Sequence, residues 1–196
     1  MNTDCYSAGE REAMLWTQRL RGWILGPLLK WLTWCGVHPD HITLASFLCG
    51  LAFCVFPWQP VAACVALGLH ILLDGVDGPL ARYQELASSR GSFTDTLTDQ
   101  IVVATSTLTL MSASVVEPVA GGGYIFLYTV VVALAMIRNV MEIPYRWLVR
   151  PRFPVYAWIL VELYLWPGTM VYLLWGFNAL LGVNLATGFF MVRRKL

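Results

Sequence analysis

Asp74-Gly75-Val76-Asp77-Gly78-Pro79-Leu80-Ala81-Arg82, then eight residues, then Gly91-Ser92-Phe93-Thr94-Asp95-Thr96-Leu97-Thr98-Asp99 is the stretch on which this fold turns. Asp74 and Asp77 are three residues apart, and Asp95 and Asp99 are four apart, so on helices each pair shares a face. Gly78 and Ala81 lie beside the first pair, where small side chains let a helix or a ligand approach. The polar link from Gln84 to Arg90 is short enough to fold the two segments back antiparallel. Four carboxylates then converge from two helices. Carboxylates packed so closely repel one another, and a pair of divalent cations relieves the repulsion. Oxygen donors suit a hard ion, Mg²⁺ or Mn²⁺, that leaves ligand positions to substrate phosphates. Two such ions can clamp the attacking and leaving oxygens of a phosphoryl displacement. The plain alternative, aspartates that merely cap and solubilise helix ends, is the weaker reading, because ionisable groups at a membrane edge are costly to keep.

The membrane setting comes from composition. Of 196 residues, 58% are hydrophobic and only 13% charged, with a mean hydropathy of +0.62. Those figures predict an all-α polytopic membrane protein forming a single domain over residues 1–196. Cys5, Cys35, Cys49, Cys54 and Cys64 show no metal-ligand spacing and no disulfide framework. No cleavable signal peptide is expected, since a long charged segment precedes the first apolar run. No nucleic-acid partner is expected.

Residues 9–36 interleave Trp16, Trp23 and Trp31 with Arg11, Arg19, Arg21 and Lys30, the pattern of an amphipathic helix lying in the headgroup layer and kinked at Gly26-Pro27. Six spans are expected over residues 42–192. The first runs from Ile42 to Phe56, with Asp40 or Thr43 capping it, and Pro57-Trp58-Gln59-Pro60 turns into the second. The second runs from Val61 through Leu73 and continues past the membrane core to Arg82. His70, four residues before Asp74, either orients a carboxylate or is a satisfied packing residue. The third span covers Ser92 to Ala113. Glu117-Pro118 and Gly121-Gly122-Gly123 read as a turn, and Tyr124 to Val140 is the fourth span. Between Val155 and Val192 there is room for two more, divided at Trp166-Pro167-Gly168 or, alternatively, near Gly176-Phe177-Asn178. With six spans, twelve of the thirteen lysines and arginines fall on one side, all but Arg138, and none in the opposite turns. That asymmetry places both termini and the four aspartates in the cytosol.

The pattern Asp-x2-Asp-Gly-x2-Ala-Arg-x8-Gly-x3-Asp-x3-Asp resembles the signature of the CDP-alcohol phosphotransferase family at all eight fixed positions. The resemblance implies displacement of CMP from a CDP-alcohol by an acceptor hydroxyl, CDP-diacylglycerol being the expected donor and a water-soluble alcohol the acceptor. It implies that Asp74, Asp77 and Asp95 are metal ligands. Asp99 is then the general base, also touching the second of two cations. Asp74, Gly78, Ala81, Arg82 and Gly91 contact the nucleotide. Pro39-Asp40-His41-Ile42-Thr43 is similar to the family's Pro-Asn-x-Ile-Thr segment near the nucleotide; Thr43 matches, and Asp40 stands where Asn is usual. A homodimer is implied by the resemblance alone.

The residues support these roles independently. A carboxylate in reach of an alcohol can take its proton as attack proceeds. Arg82 can pair with a phosphate in a fork, or it is simply a cytosolic anchor. Acceptor binding is expected from Arg138, a charge inside a span, and Arg146, with Arg150 and Arg152 in the same basic loop. Glu142, one turn beyond Arg138, is its alternative partner. Two rival functions carry similar residues: an aminoalcohol phosphotransferase using CDP-choline or CDP-ethanolamine, and a metal-ion carrier. The carrier needs polar groups across the full membrane thickness, and here the outer halves offer only Glu117 and Glu162.

Overall fold

A computed structural model describes residues 24–55, 59–143 and 148–196. Among them there are seven helices and no strand: α1 (24–34), α2 (Pro39–Val55), α3 (Pro60–Tyr83), α4 (Ser89–Ser112), α5 (Pro118–Val140), α6 (Arg152–Tyr164) and α7 (Met170–Lys195). Arg146 and the greater part of the expected 9–36 helix lie outside the described residues, as do Pro57 and Trp58 of the expected turn.

The acidic motif occupies the hinge between α3 and α4. α3 starts with Pro60 in its first turn, where the missing N–H costs nothing, and carries the chain beyond the apolar run to Tyr83. Pro79 lies inside it and cannot donate to the Gly75 carbonyl, so the ladder is interrupted beside Asp74 and Asp77. Five residues, 84–88, reverse the chain, and Ser88 opens α4 by accepting the Gly91 N–H at 3.1 Å. Gln84 anchors this loop by donating to the Val37 carbonyl at 2.9 Å and to Thr33 Oγ1 at 3.1 Å, across to the end of α1.

α2 packs along both α3 and α4, α5 along α4 and α7, and α6 along α3 and α7. Between helices in lipid no hydrophobic drive exists, so close backbone approach and buried polar ties do the holding. Gly50 of α2 meets α4 so closely that an added Cβ would lie 2.6 Å from Val102 Cγ2. Asn178 of α7 donates to the Ala120 carbonyl of α5 at 2.9 Å. Tyr124, Val131, Leu174, Leu181, Val102 and Ile159 fill the common core. Leu72, Phe126, Tyr172 and Phe190 face outward, as lipid-facing positions do.

Three helical segments are long and apolar enough to cross a membrane: Val61–Tyr83, Pro118–Val140 and Met170–Lys195. The other three of the expected six fall short in length or in apolar character. α2 has 17 residues, α6 only 13, or about 20 Å, and α4 has the length but carries the acidic pair and a run of hydroxyls. One expectation fails outright: Gly121-Gly122-Gly123 is not a turn but lies within α5, which Pro118 begins. The glycines serve contact instead, Gly121 against Met111 and Val116, and Gly123 against Asn178. The break between the last two helices falls at Trp166-Pro167-Gly168, with Gly168 at φ +84°, and Gly176-Phe177-Asn178 is helical.

Candidate active site

α2 lies along both α3 and α4, and the hinge between the latter two brings acids of the motif together from both helices. Carboxylate oxygens of Asp74, Asp95 and Asp99 all lie within 4.8 Å of one another. All three are at least partly shielded from solvent, with Asp99 9% exposed. Asp77, 6% exposed, stands outside that trio. Its Oδ2 accepts the Thr43 hydroxyl of α2 at 2.9 Å, and its Oδ1 accepts the Gly78 N–H at 2.6 Å. The donor set is all oxygen and carries a high density of negative charge, which fits hard divalent cations and does not fit a soft metal.

Two openings flank the acids. On one side is a cavity of about 150 Å³ between the start of α2, the end of α3 and the start of α4. Asp77, Gly78, Ala81, Arg82, Gly91 and Asp95 line it together with Thr43 and Asp40. All the positions expected to contact a nucleotide, apart from Asp74, are thus gathered around one space. Gly78 is bare toward its own helix, where a Cβ would lie 3.5 Å from Arg82 Nη1, so the guanidinium lies over the cavity's small-residue wall. Beside this cavity lies a wider groove of about 500 Å³, polar at His38, Asp40 and Arg90 and apolar at Leu44, Phe47 and Leu86. Asp40 is in the first turn of α2 and has His38 Nδ1 3.5 Å from its Oδ2. On the other side of the acids is a small recess lined by Asp95, Thr96, Asp99, Gln100, Arg150 and Arg152.

The sequence marks Arg152 only as one member of a basic loop. The first residue of α6, it instead reaches into the acids: Nη2 lies 2.9 Å from Asp74 Oδ2, and Nη1 contacts Asp99 Oδ2. No local pattern reveals this, because the partners are separated by more than fifty residues of chain. Arg138 sits elsewhere. It is 2% exposed, wedged where α5 meets α7, with its guanidinium next to Gly188, and it lines none of these three openings. Glu142, its alternative partner by sequence, is exposed at the end of α5 in a left-handed conformation, φ +54°. His70 resolves to the packing alternative. Its Nδ1 lies 2.9 Å from Ser46 Oγ, and its ring meets the edge of Tyr156, cross-linking α2, α3 and α6.

A family model described as CDP-alcohol phosphatidyltransferase matches residues 36–191. The chain is similar to the "Inner membrane protein YnjF" of Escherichia coli, 36% identical over 93 residues, which is 46% of this chain and 44% of that protein. It is also similar to a "Bifunctional IPC transferase and DIPP synthase" of Thermococcus kodakarensis, 33% identical over 85 residues, 42% of this chain and 19% of that protein. The aligned part is therefore less than half the length of either of these curated relatives. No solved structure gives a significant match.

Proposed function

The chain belongs to the CDP-alcohol phosphatidyltransferase family, and on that premise we propose that it transfers a phosphatidyl group from CDP-diacylglycerol to a soluble alcohol, releasing CMP, at the joint between α3 and α4. The observation that carries this reading is the trio Asp74, Asp95 and Asp99, drawn from two helices into one small volume between two openings. Two divalent cations, Mg²⁺ or Mn²⁺, held by Asp74, Asp77, Asp95 and Asp99, would neutralise charge on the phosphoryl oxygens and on the leaving CMP.

The chain's own residues do the rest. Gly78, Ala81, Arg82, Gly91 and Thr43 form the wall against which the nucleotide lies, with Arg82 directed at its phosphates. The groove that runs polar to apolar beside that wall suits an amphiphilic donor. Asp99 takes the proton of the acceptor hydroxyl as its oxygen bonds to the phosphorus carrying the lipid, while the bond from that phosphorus to CMP breaks. The acceptor enters the recess opposite, where Arg150 and Arg152 favour one that carries a phosphate. Arg138 is buried and does not line that recess; Arg146 is kept as a candidate from the sequence alone.

Around this site we read residues 1–196 as one integral membrane domain with six spans, α2 to α7, a headgroup-layer helix before them, and a homodimer as the assembled form. Trp31 and Trp34, exposed on α1 opposite the buried Leu29 and Leu32, favour such an interfacial helix. The near-absence of ionisable groups toward the far ends of the helices argues against an ion carrier.

The test is CMP release from CDP-diacylglycerol by the purified full chain in detergent, across a panel of soluble alcohols and their phosphates. EDTA should abolish release, and Mg²⁺ or Mn²⁺ should restore it. Turnover that survives chelation would remove the metal assignment, and ion flux without any nucleotide turnover would replace the enzyme with a carrier.

A further inference from the structure

We propose that Arg152 is a built-in stand-in for a cation: it bridges Asp74 and Asp99 when the acids hold no metal, and it must leave them for the metal to bind. The inference rests on the metal reading above. Its own basis is the geometry of one side chain. Arg152 spans the two helices, with one guanidinium nitrogen 2.9 Å from Asp74 Oδ2 and the other on Asp99 Oδ2. Both carboxylates belong to the trio whose oxygens lie within 4.8 Å of one another. Two of the three carboxylates that would ligate a cation are thus ones the guanidinium now holds, each through its Oδ2. All three side chains are shielded from solvent. So much negative charge in so little water needs a counter-charge at all times, and removing one partner of such a set costs far more than the set contributes.

A permanent structural bridge would look different. It would lie away from the reacting volume, whereas Arg152 lies within it. The side chain also has somewhere to go. It issues from the first turn of α6, rests at 4.5 Å from the Phe153 ring centroid, and borders the recess lined by Thr96, Gln100 and Tyr128. A long arginine stem pivoting there moves its charge by several ångströms with no change in the helices. Arg152 is therefore a positioning residue. It holds Asp74 and Asp99 in register across the α3–α4 hinge before loading, and competes with the first cation to arrive.

Mn²⁺ binding, read from the free-ion paramagnetic resonance signal of the full chain in detergent, tests this without reference to turnover. Arg152→Gln should bind Mn²⁺ on the order of tenfold more tightly, as befits loss of a charged competitor. It should unfold at a lower temperature than wild type in EDTA, and the gap should close when Mn²⁺ is added. In the unsubstituted protein, mass spectrometry should find Arg152 protected from phenylglyoxal in EDTA and modified once Mn²⁺ is present, a readout that needs no variant to fold. Affinity unchanged or weakened by Arg152→Gln, or equal Arg152 modification with and without Mn²⁺, overturns the proposal while leaving the metal centre standing. Failure of the unsubstituted protein to bind Mn²⁺ overturns both.

Discussion

Asp99 is the acid whose surroundings differ most from those of its neighbours. It lies a helical turn deeper than Asp95, touches Arg152, and faces the recess rather than the nucleotide wall. On the proposed reading, in which the acceptor enters this recess, Asp99 has the position a general base needs. Asp99→Asn keeps the shape and a ligand oxygen but removes the basic site. It should lower CMP release by about 100-fold or more while donor binding, measured by displacement of labelled CDP-diacylglycerol, stays within a small factor. Intact turnover in this variant would exclude Asp99 as the base. The acids are legible in the sequence because helix periodicity is local: spacings of three and four put each pair on one face whatever the rest of the chain does. Arg152 is not legible as their partner, since which of several basic residues reaches them is fixed by how α6 packs on α3. Arg138 shows the converse. A charge inside an apolar run signals function in general, but the sequence does not say where it packs, and here it lies between α5 and α7 beside Gly188, outside the recess.

At the scale of elements, four helix ends share one device that the sequence half conceals. α1, α3, α4 and α5 end with a residue at positive φ: Gly36 (71°), Glu85 (59°), Ser114 (59°) and Glu142 (54°). In each the next residue donates its N–H back to a carbonyl five positions earlier, Val37 to Leu32, Leu86 to Ala81, Val115 to Leu110 and Ile143 to Arg138. Only Gly36 announces itself by residue type. The other three are followed by an apolar residue, packed inward at Val115 and Ile143 and exposed at Leu86. A left-handed non-glycine residue is strained, so Ser114→Gly, far from the acids, should raise stability by about 0.5–1 kcal/mol. Thermal unfolding in detergent checks it, and a fall would mean that the Ser114 side chain makes a contact worth more than the strain. The glycine triplet of α5 shows the opposite ambiguity. Consecutive glycines favour a turn by propensity, yet between tightly packed helices their lack of a side chain is what permits contact.

For the whole molecule, the proposed six spans and the charge asymmetry of the sequence together predict an orientation. The α3–α4 loop should then face the cytosol and the α4–α5 loop the opposite side. In a background stripped of native cysteines, Arg90→Cys should react with a membrane-impermeant maleimide only from the cytosolic side, and Ser114→Cys only from the other. Labelling of both from one side would overturn the orientation. Among the described residues, the bend at Trp166-Pro167-Gly168 is readable from its proline and glycine, whereas the Gly121-Gly122-Gly123 triplet, read as a turn, is helical. Which helix lies against which is not readable, because in lipid that is decided by small-residue contacts such as Gly50 on Val102 rather than by a hydrophobic stripe.

Glu162 carries a consequence for how the chain is put in place. Near the end of α6 and 6% exposed, it accepts the N–H groups of Gly168, of Thr169 at 2.9 Å and of Met170 at 2.7 Å. Those donors exist only after the chain has rounded its last bend. On the proposed six-span reading, α6 would until then carry an unmatched carboxylate into the bilayer. Its insertion would then depend on the synthesis of α7, and α6 and α7 should enter the bilayer together as a hairpin. Nascent chains halted after Leu165 should leave α6 open to protease, and chains reaching Lys195 should shelter it; equal protection in both would show that α6 inserts unaided.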